Sequence, residues 1–159
     1  MTAAFHPDGH LFAAGGADGQ IKVFDVKSGE NAANFDSAGP IQCLSFSENG
    51  TWLAAVSRGE SSVSIWDLRK ATQIKTLEIG SQINHVCWDY TGQFLIAAGP
   101  SGLSIQQYSK STKEWSEPLR SGIATVAAEW GPKAESVVAL GPDGTITEFV
   151  RKAEGEAEE

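Results

Sequence analysis

The sequence is short of the residues on which most chemistry depends. Its 159 residues include two cysteines, three histidines and one methionine, which excludes a disulfide scaffold and argues against a metal site at tight ligand spacing. No apolar stretch approaches the roughly 18 residues of a membrane-spanning helix, and no basic-then-apolar leader opens the chain. Cations are few and scattered, with 12 Lys and Arg against 20 Asp and Glu, for a formal charge of −8. Without a clustered basic stripe the chain cannot neutralise phosphates, so a direct grip on nucleic acid is not expected. Basic partner proteins suit that charge.

The usual catalytic signatures are missing too. There is no Gly-x-Ser-x-Gly elbow, no phosphate loop, no His-Glu-x-x-His helix and no paired Cys-x-x-Cys. Gly15-Gly16-Ala17-Asp18-Gly19 is glycine-rich, but it leads into a strand rather than the helix N-terminus that a phosphate cradle requires. His6, His10 and His85 are too dispersed for a metal triad. No catalytic residue, metal or cofactor is expected. Cys43 and Cys87 each fall just before an aromatic residue in an inner strand and read as buried free thiols of a reducing compartment. Asn49-Gly50-Thr51 matches a glycosylation sequon and reads as a turn.

What is present is a four-fold echo. Phe5-His6-Pro7-Asp8-Gly9, Phe46-Ser47-Glu48-Asn49-Gly50, Trp88-Asp89-Tyr90-Thr91-Gly92 and Trp130-Gly131-Pro132-Lys133-Ala134 hold equivalent places, their leading aromatics 41, 42 and 42 residues apart. A second series, Phe24, Trp66, Tyr108 and Phe149, runs out of phase with the first, and Asp25 and Asp67 follow two of its members. A period of about 40–45 residues with a strand ending in Trp-Asp is the signature of a β-propeller blade.

The second unit shows the physics best. Pro40–Phe46 reads as a strand, and Asn49-Gly50 supplies the positive φ of a tight hairpin. Trp52–Val56 is a short apolar run suited to a strand buried on both faces. Ser62–Leu68 alternates at period two, and Gln73–Leu77 is a more polar outer strand. The same pattern places four units at 1–36, 37–78, 79–120 and 121–150, then an acidic disordered tail at 151–159. The first unit is expected to lack most of its innermost strand. The third should have an outer strand near Trp115–Leu119, the fourth none, and the chain no helix. Paired alanines in the second strands (Ala13-Ala14, Ala54-Ala55, Ala97-Ala98) let crowded blades approach, and the aromatics fill the gaps between blades. The expected fold is all-β: about four blades of a larger ring, since an open ring leaves an exposed strand edge.

Six residues before each third-strand aromatic lie Asp18, Glu60 and Asp143, with Gly102 in the third unit. The chain resembles the WD-repeat family, in which an acid in that turn organises the blade through hydrogen bonds. Asp18, Phe24, Asp25, Trp66, Asp67, Tyr108, Asp143 and Phe149 are therefore expected to be blade-structural. The usual Gly-His dipeptide is absent, the equivalent segments being Ser37–Pro40, Gly80–Gln82 and Arg120–Gly122. The network is then incomplete and packing has to compensate.

A closer resemblance rests on the order of Phe5–Gly9, Gln20-Ile21-Lys22, Gly39-Pro40-Ile41, Phe46–Gly50, Ser61–Lys70 and Lys75-Thr76-Leu77. Together these resemble the C-terminal WD-repeat region of the pre-mRNA-processing factor 19 family. That resemblance implies a seven-bladed ring and the substrate-presenting end of a nuclear ubiquitin ligase acting in splicing and DNA repair. The family's U-box and its tetramerising coiled coil are not in these residues, so no transferase activity is expected of the chain itself. It implies protein partners: splicing factors, ubiquitination substrates and other ligase subunits. Contacts are expected at the rim of the channel, from Asp18, Arg58, Glu60, Ser61 and Gln82. Arg58 leads the set because planar Arg is favoured at interfaces.

Overall fold

The computed structural model describes residues 1–151; apart from Arg151, the expected acidic tail lies outside them. The chain forms four antiparallel sheets. The first contains β1 (Thr2–Phe5), β2 (Leu11–Gly15), β3 (Gln20–Asp25) and β4 (Asn31–Asp36). The second contains β5 (Ile41–Phe46), β6 (Trp52–Ser57), β7 (Ser62–Asp67) and β8 (Thr72–Glu78). The third is built from β9 (His85–Trp88), β10 (Phe94–Gly99), β11 (Gly102–Ser109), β12 (Glu114–Trp115) and β13 (Leu119–Ser121). The fourth has three strands, β14 (Ala127–Trp130), β15 (Ser136–Leu140) and β16 (Ile146–Val150).

Three expectations need correction. The first sheet does have an inner strand, since β1 pairs with β2 over four residues. One turn of 3-10 helix stands at Pro132–Ala134, where Lys133 and Ala134 adopt positive φ. The outer strand of the third sheet is split: Trp115 pairs with Tyr108, and Leu119 with Ile105. Pro118 lies in the break, as expected of a residue that cannot donate to a ladder.

Each sheet packs its faces on its neighbours, which makes three core layers. Between sheets one and two lie Ala13, Ile21, Val23, Phe35, Ile41, Leu44, Leu53, Ala55 and Trp66. Between two and three lie Ala54, Val56, Val63, Ile65, Val86, Trp88, Leu95 and Ala97. The third layer is smaller and centres on Ile96, Ala98, Leu103, Ala128, Val137 and Ala139. The paired alanines thus divide between faces: Ala54 looks to the third sheet and Ala55 to the first. Both are buried, and small side chains there let the two neighbours close in.

Register reveals what the aromatic spacing concealed. Phe24 lies opposite Phe12, Trp66 opposite Leu53 and Phe149 opposite Val137. In the third sheet the residue in that place, opposite Leu95, is Gln106 and not Tyr108. The turn from β10 to β11 holds only Pro100 and Ser101, with Gly99 paired to Gly102. Gly102 is at φ +127°, and a Cβ there would run into Ser121 O, so glycine is required. The turn is shorter, so Tyr108 lies beyond the shared position. There it packs edge-on against Trp52 (centroids 4.7 Å apart) and tilted against Trp115 (5.5 Å).

Candidate interaction surface

The turns between second and third strands and the connections between sheets meet at one end of the assembly, tied together by backbone bonds. Ser37 N donates to Gly19 O and Arg58 N to Pro40 O. Ile79 N donates to Ser61 O, and Ile83 N to Glu60 O. Asp18, Arg58, Glu60, Ser61 and Gln82 therefore share a single rim. The folded chain brings Gln82 beside the Glu60 turn and Arg58 beside the Ser37–Pro40 connection.

Their environments differ. Asp18 Oδ1 accepts from Gln20 N at 3.1 Å, a bond within its own turn. Asp143 does the same for Thr145 N at 3.0 Å. The Thr145 hydroxyl and amide hold the Asp143 carboxyl below its usual range. The turn acid thus fastens its own loop, and among the described residues neither side chain bonds to another blade. Glu60 contributes its backbone carbonyl instead. Arg58 is exposed beside Gly59 at φ +82°, and among the described residues it makes no ion pair. Asp18, Asp36, Glu60, Glu78 and Asp143 lie at this end of their sheets, with Arg120 a second cation beside Gly80. Lys27, Arg69, Lys70, Lys110, Lys113 and Lys133 sit in turns at the opposite end. The rim is accordingly acidic, with the guanidinium groups of Arg58 and Arg120 making no ion pair among the described residues.

The acids that follow the third-strand aromatics cap those far turns. Asp25 Oδ1 accepts from Ser28 N at 2.8 Å, and Asp67 Oδ1 from Arg69 N and Lys70 N at 2.9 and 3.0 Å. The indole N–H of Trp66 is buried without a partner among the described residues, so Trp66 contributes packing and no hydrogen bond.

Sequence reading missed a set of lateral bonds between adjacent sheets. His6 Nε2 lies 2.9 Å from Gly50 O, and its ring sits edge-on to Phe46. Ser45 Oγ accepts from Trp88 N, and Cys43 Sγ donates to Val86 O. Ala128 N donates to His85 Nδ1, Trp130 Nε1 to Cys87 O, and Cys87 Sγ to Glu129 Oε2 at 3.1 Å. The recurrent separation of 42–44 residues was the available signal. Burial, then the Glu129 carboxylate, push the Cys87 thiol far above its ordinary range, which disfavours the thiolate. Among the described residues, no three His, Cys, Asp or Glu are grouped so as to hold a metal.

An apolar cleft of about 490 Å³ separates the third and fourth sheets, lined by Phe94, Trp130, Phe149 and Leu119. In the corresponding gap between sheets two and three, Trp52 and Trp115 each pack on the other and on both Trp88 and Tyr108. The outer-strand aromatic, Trp115, is what fills it.

Comparison with known proteins completes this description. The family profile described as "Nucleolar protein 10-like, N-terminal domain", a β-propeller, matches residues 1–129. The chain belongs to this β-propeller family. It is 35% identical over 115 residues to pre-mRNA-processing factor 19 of Schizosaccharomyces pombe, covering 72% of this chain and 24% of that protein. The homologue from Dictyostelium discoideum is 38% identical over 135 residues (80% and 25%). Small ribosomal subunit protein RACK1 of Medicago sativa is 40% identical over 78 residues, 49% of this chain and 23% of that one. The chain spans about a quarter of the length of these relatives. Among solved structures, a chain of the mitotic checkpoint complex superposes with a TM-score of 0.81 at 16% identity, over 95% of this chain and 48% of that one. The Cps50 (Swd1) β-propeller domain of Myceliophteria thermophila gives 0.79 at 16%, over 93% and 50%. These likenesses show the propeller fold, with this family member matching half of each structure.

Proposed function

We propose that the chain is the protein-recognition part of a nuclear U-box ubiquitin-protein ligase that acts in pre-mRNA splicing and DNA repair. The observation that carries this is its relation to pre-mRNA-processing factor 19 along most of its length. The surface supports a binding role: an acidic rim on which Arg58 makes no ion pair among the described residues. Splicing factors, ubiquitination substrates and other ligase subunits are the partners in this reading. Asp18, Arg58, Glu60, Ser61 and Gln82 form the contact set.

A second reading, a WD-repeat adaptor without ligase function, draws on the likeness to small ribosomal subunit protein RACK1. Both are tested by one capture experiment. The immobilised chain and its Arg58→Glu variant are incubated with nuclear extract, and bound proteins are quantified by mass spectrometry. Splicing factors retained by the chain and depleted with Arg58→Glu support the ligase reading. Ribosomal proteins without splicing factors overturn it in favour of the adaptor.

A further inference from the structure

At the end away from the rim, the turn from β7 to β8 reads Arg69-Lys70-Ala71-Thr72. Two cations stand three and two residues ahead of a threonine, with no acid among them. All four residues are exposed, and so are Gln73 and Ile74 after them. Thr72 opens β8, the outermost strand of its sheet, which among the described residues pairs with β7 alone.

This segment is lightly held. The β7–β8 ladder shifts register between Ile65 and Trp66, so that Ile65 pairs with Lys75 but Trp66 with Gln73. A bulge of this kind interrupts a ladder. On its turn side lie only the pairs Trp66–Gln73 and Asp67–Thr72. Asp67 Oδ1 closes the turn by accepting from Arg69 N and Lys70 N. Ala71 stands at φ +52°, in the left-handed region that residues with a Cβ enter only at a cost. Two pairs and a strained turn can open while the ladder from Lys75 onward stays closed. The opened edge presents Arg69–Ile74 as an extended segment.

We infer that Thr72 is a phosphorylation site for a basophilic Ser/Thr kinase, a class whose substrate groove sets carboxylates against cations ahead of the acceptor hydroxyl. Thr72 Oγ1 attacks the γ-phosphorus of ATP, and the new O–P bond forms as the bond to the bridging oxygen breaks. That electron pair leaves on ADP, and the hydroxyl proton passes to the catalytic carboxylate of the kinase. The structure separates Thr72 from Ser61, the other hydroxyl residue three places after an arginine. Glu60 stands between Arg58 and Ser61, Ser61 is partly buried, and its carbonyl accepts from Ile79 N and Gly80 N. A phosphothreonine carries about −1.5 to −2 charges at neutral pH. Modification therefore cancels the charge of Arg69 and Lys70 and removes a cationic turn from this end of the molecule. This inference does not depend on the ligase reading.

The test incubates the 159-residue chain with ATP and the catalytic subunit of cyclic-AMP-dependent protein kinase, a basophilic enzyme. Phosphate is located by tandem mass spectrometry, and near-ultraviolet circular dichroism confirms that each variant is folded. Phosphate is expected on Thr72, and none is expected there from an acidophilic casein kinase. Thr72→Ser should remain a substrate, and Thr72→Val should take up no phosphate at this turn. Arg69→Gln removes one charge contact with the kinase and should lower kcat/KM by about tenfold or more. An unmodified chain, phosphate on Ser61 or another residue in place of Thr72, native-rate labelling of Arg69→Gln, or equal labelling of Thr72 by the casein kinase would overturn the inference.

Discussion

Gln106 lies opposite Leu95 at the place that Trp66 takes opposite Leu53 in the neighbouring sheet. Its amide nitrogen donates to Ser116 O at 3.3 Å, while its oxygen is buried with no partner among the described residues. Burying an unpaired acceptor costs about 1–3 kcal/mol, more than a typical neutral hydrogen bond returns. Gln106→Met keeps the shape and removes the orphan oxygen. It should raise stability by about 1 kcal/mol, seen as a higher urea midpoint with an unchanged slope. A lower midpoint would mean that the bond to Ser116 matters more than the orphan.

Asp89 is 1% exposed and ties down the turn between β9 and β10. Its carboxylate accepts from Thr91 N at 3.0 Å, Gln93 N at 2.9 Å and Phe94 N at 2.8 Å, and from the Thr91 hydroxyl. Asp89→Ala strips three backbone N–H groups of their acceptor, and a loss of about 3 kcal/mol or more is expected. Asp89→Asn keeps one oxygen and should cost less. Equal losses in thermal melts would show that charge matters more than geometry.

Both thiols should resist alkylation. Burial raises the Cys43 thiol, and burial with the Glu129 carboxylate raises Cys87 further. Iodoacetamide at pH 8 should label the native chain far more slowly than the urea-unfolded chain, because only thiolate reacts. Glu129→Gln should speed labelling at Cys87 and leave Cys43 nearly as it was. Rapid labelling of Cys87 in the native chain would contradict its placement.

Acid should weaken the turns before the core. The His10 amide holds the Asp8 carboxyl below its usual 3.8, the Ser28 amide does so for Asp25, and Thr145 for Asp143. A carboxyl whose folded value is lowered binds its proton more readily in the unfolded chain. Its stabilisation is therefore complete above the unfolded value and is lost as pH falls through the folded one. Urea midpoints should respond to these groups only below about pH 4. Asp25→Asn should flatten that acid limb. An unchanged limb would show that Asp25 is equally acidic in both states.

The four-unit periodicity and the alternation within β7 were legible in the sequence, because strand spacing and side-chain period are local properties of the chain. The turns were legible for the same reason: Asn49-Gly50 and Pro7-Asp8-Gly9 close hairpins by their own backbone preferences. The Tyr108 alignment failed on equally physical grounds. Spacing counts residues, whereas a sheet counts pairs, and two residues fewer before β11 put Gln106 where an aromatic was expected. The rim residues were legible as turn positions, but their common location was not, since 42 residues of chain separate Asp18 from Glu60. The partners of His6, Ser45 and Cys87 in the lateral bonds were decided by tertiary structure, although the repeat spacing of 42–44 residues was there to be read. Each depends on which face of a strand meets which neighbour, and only the stacking of blades decides that.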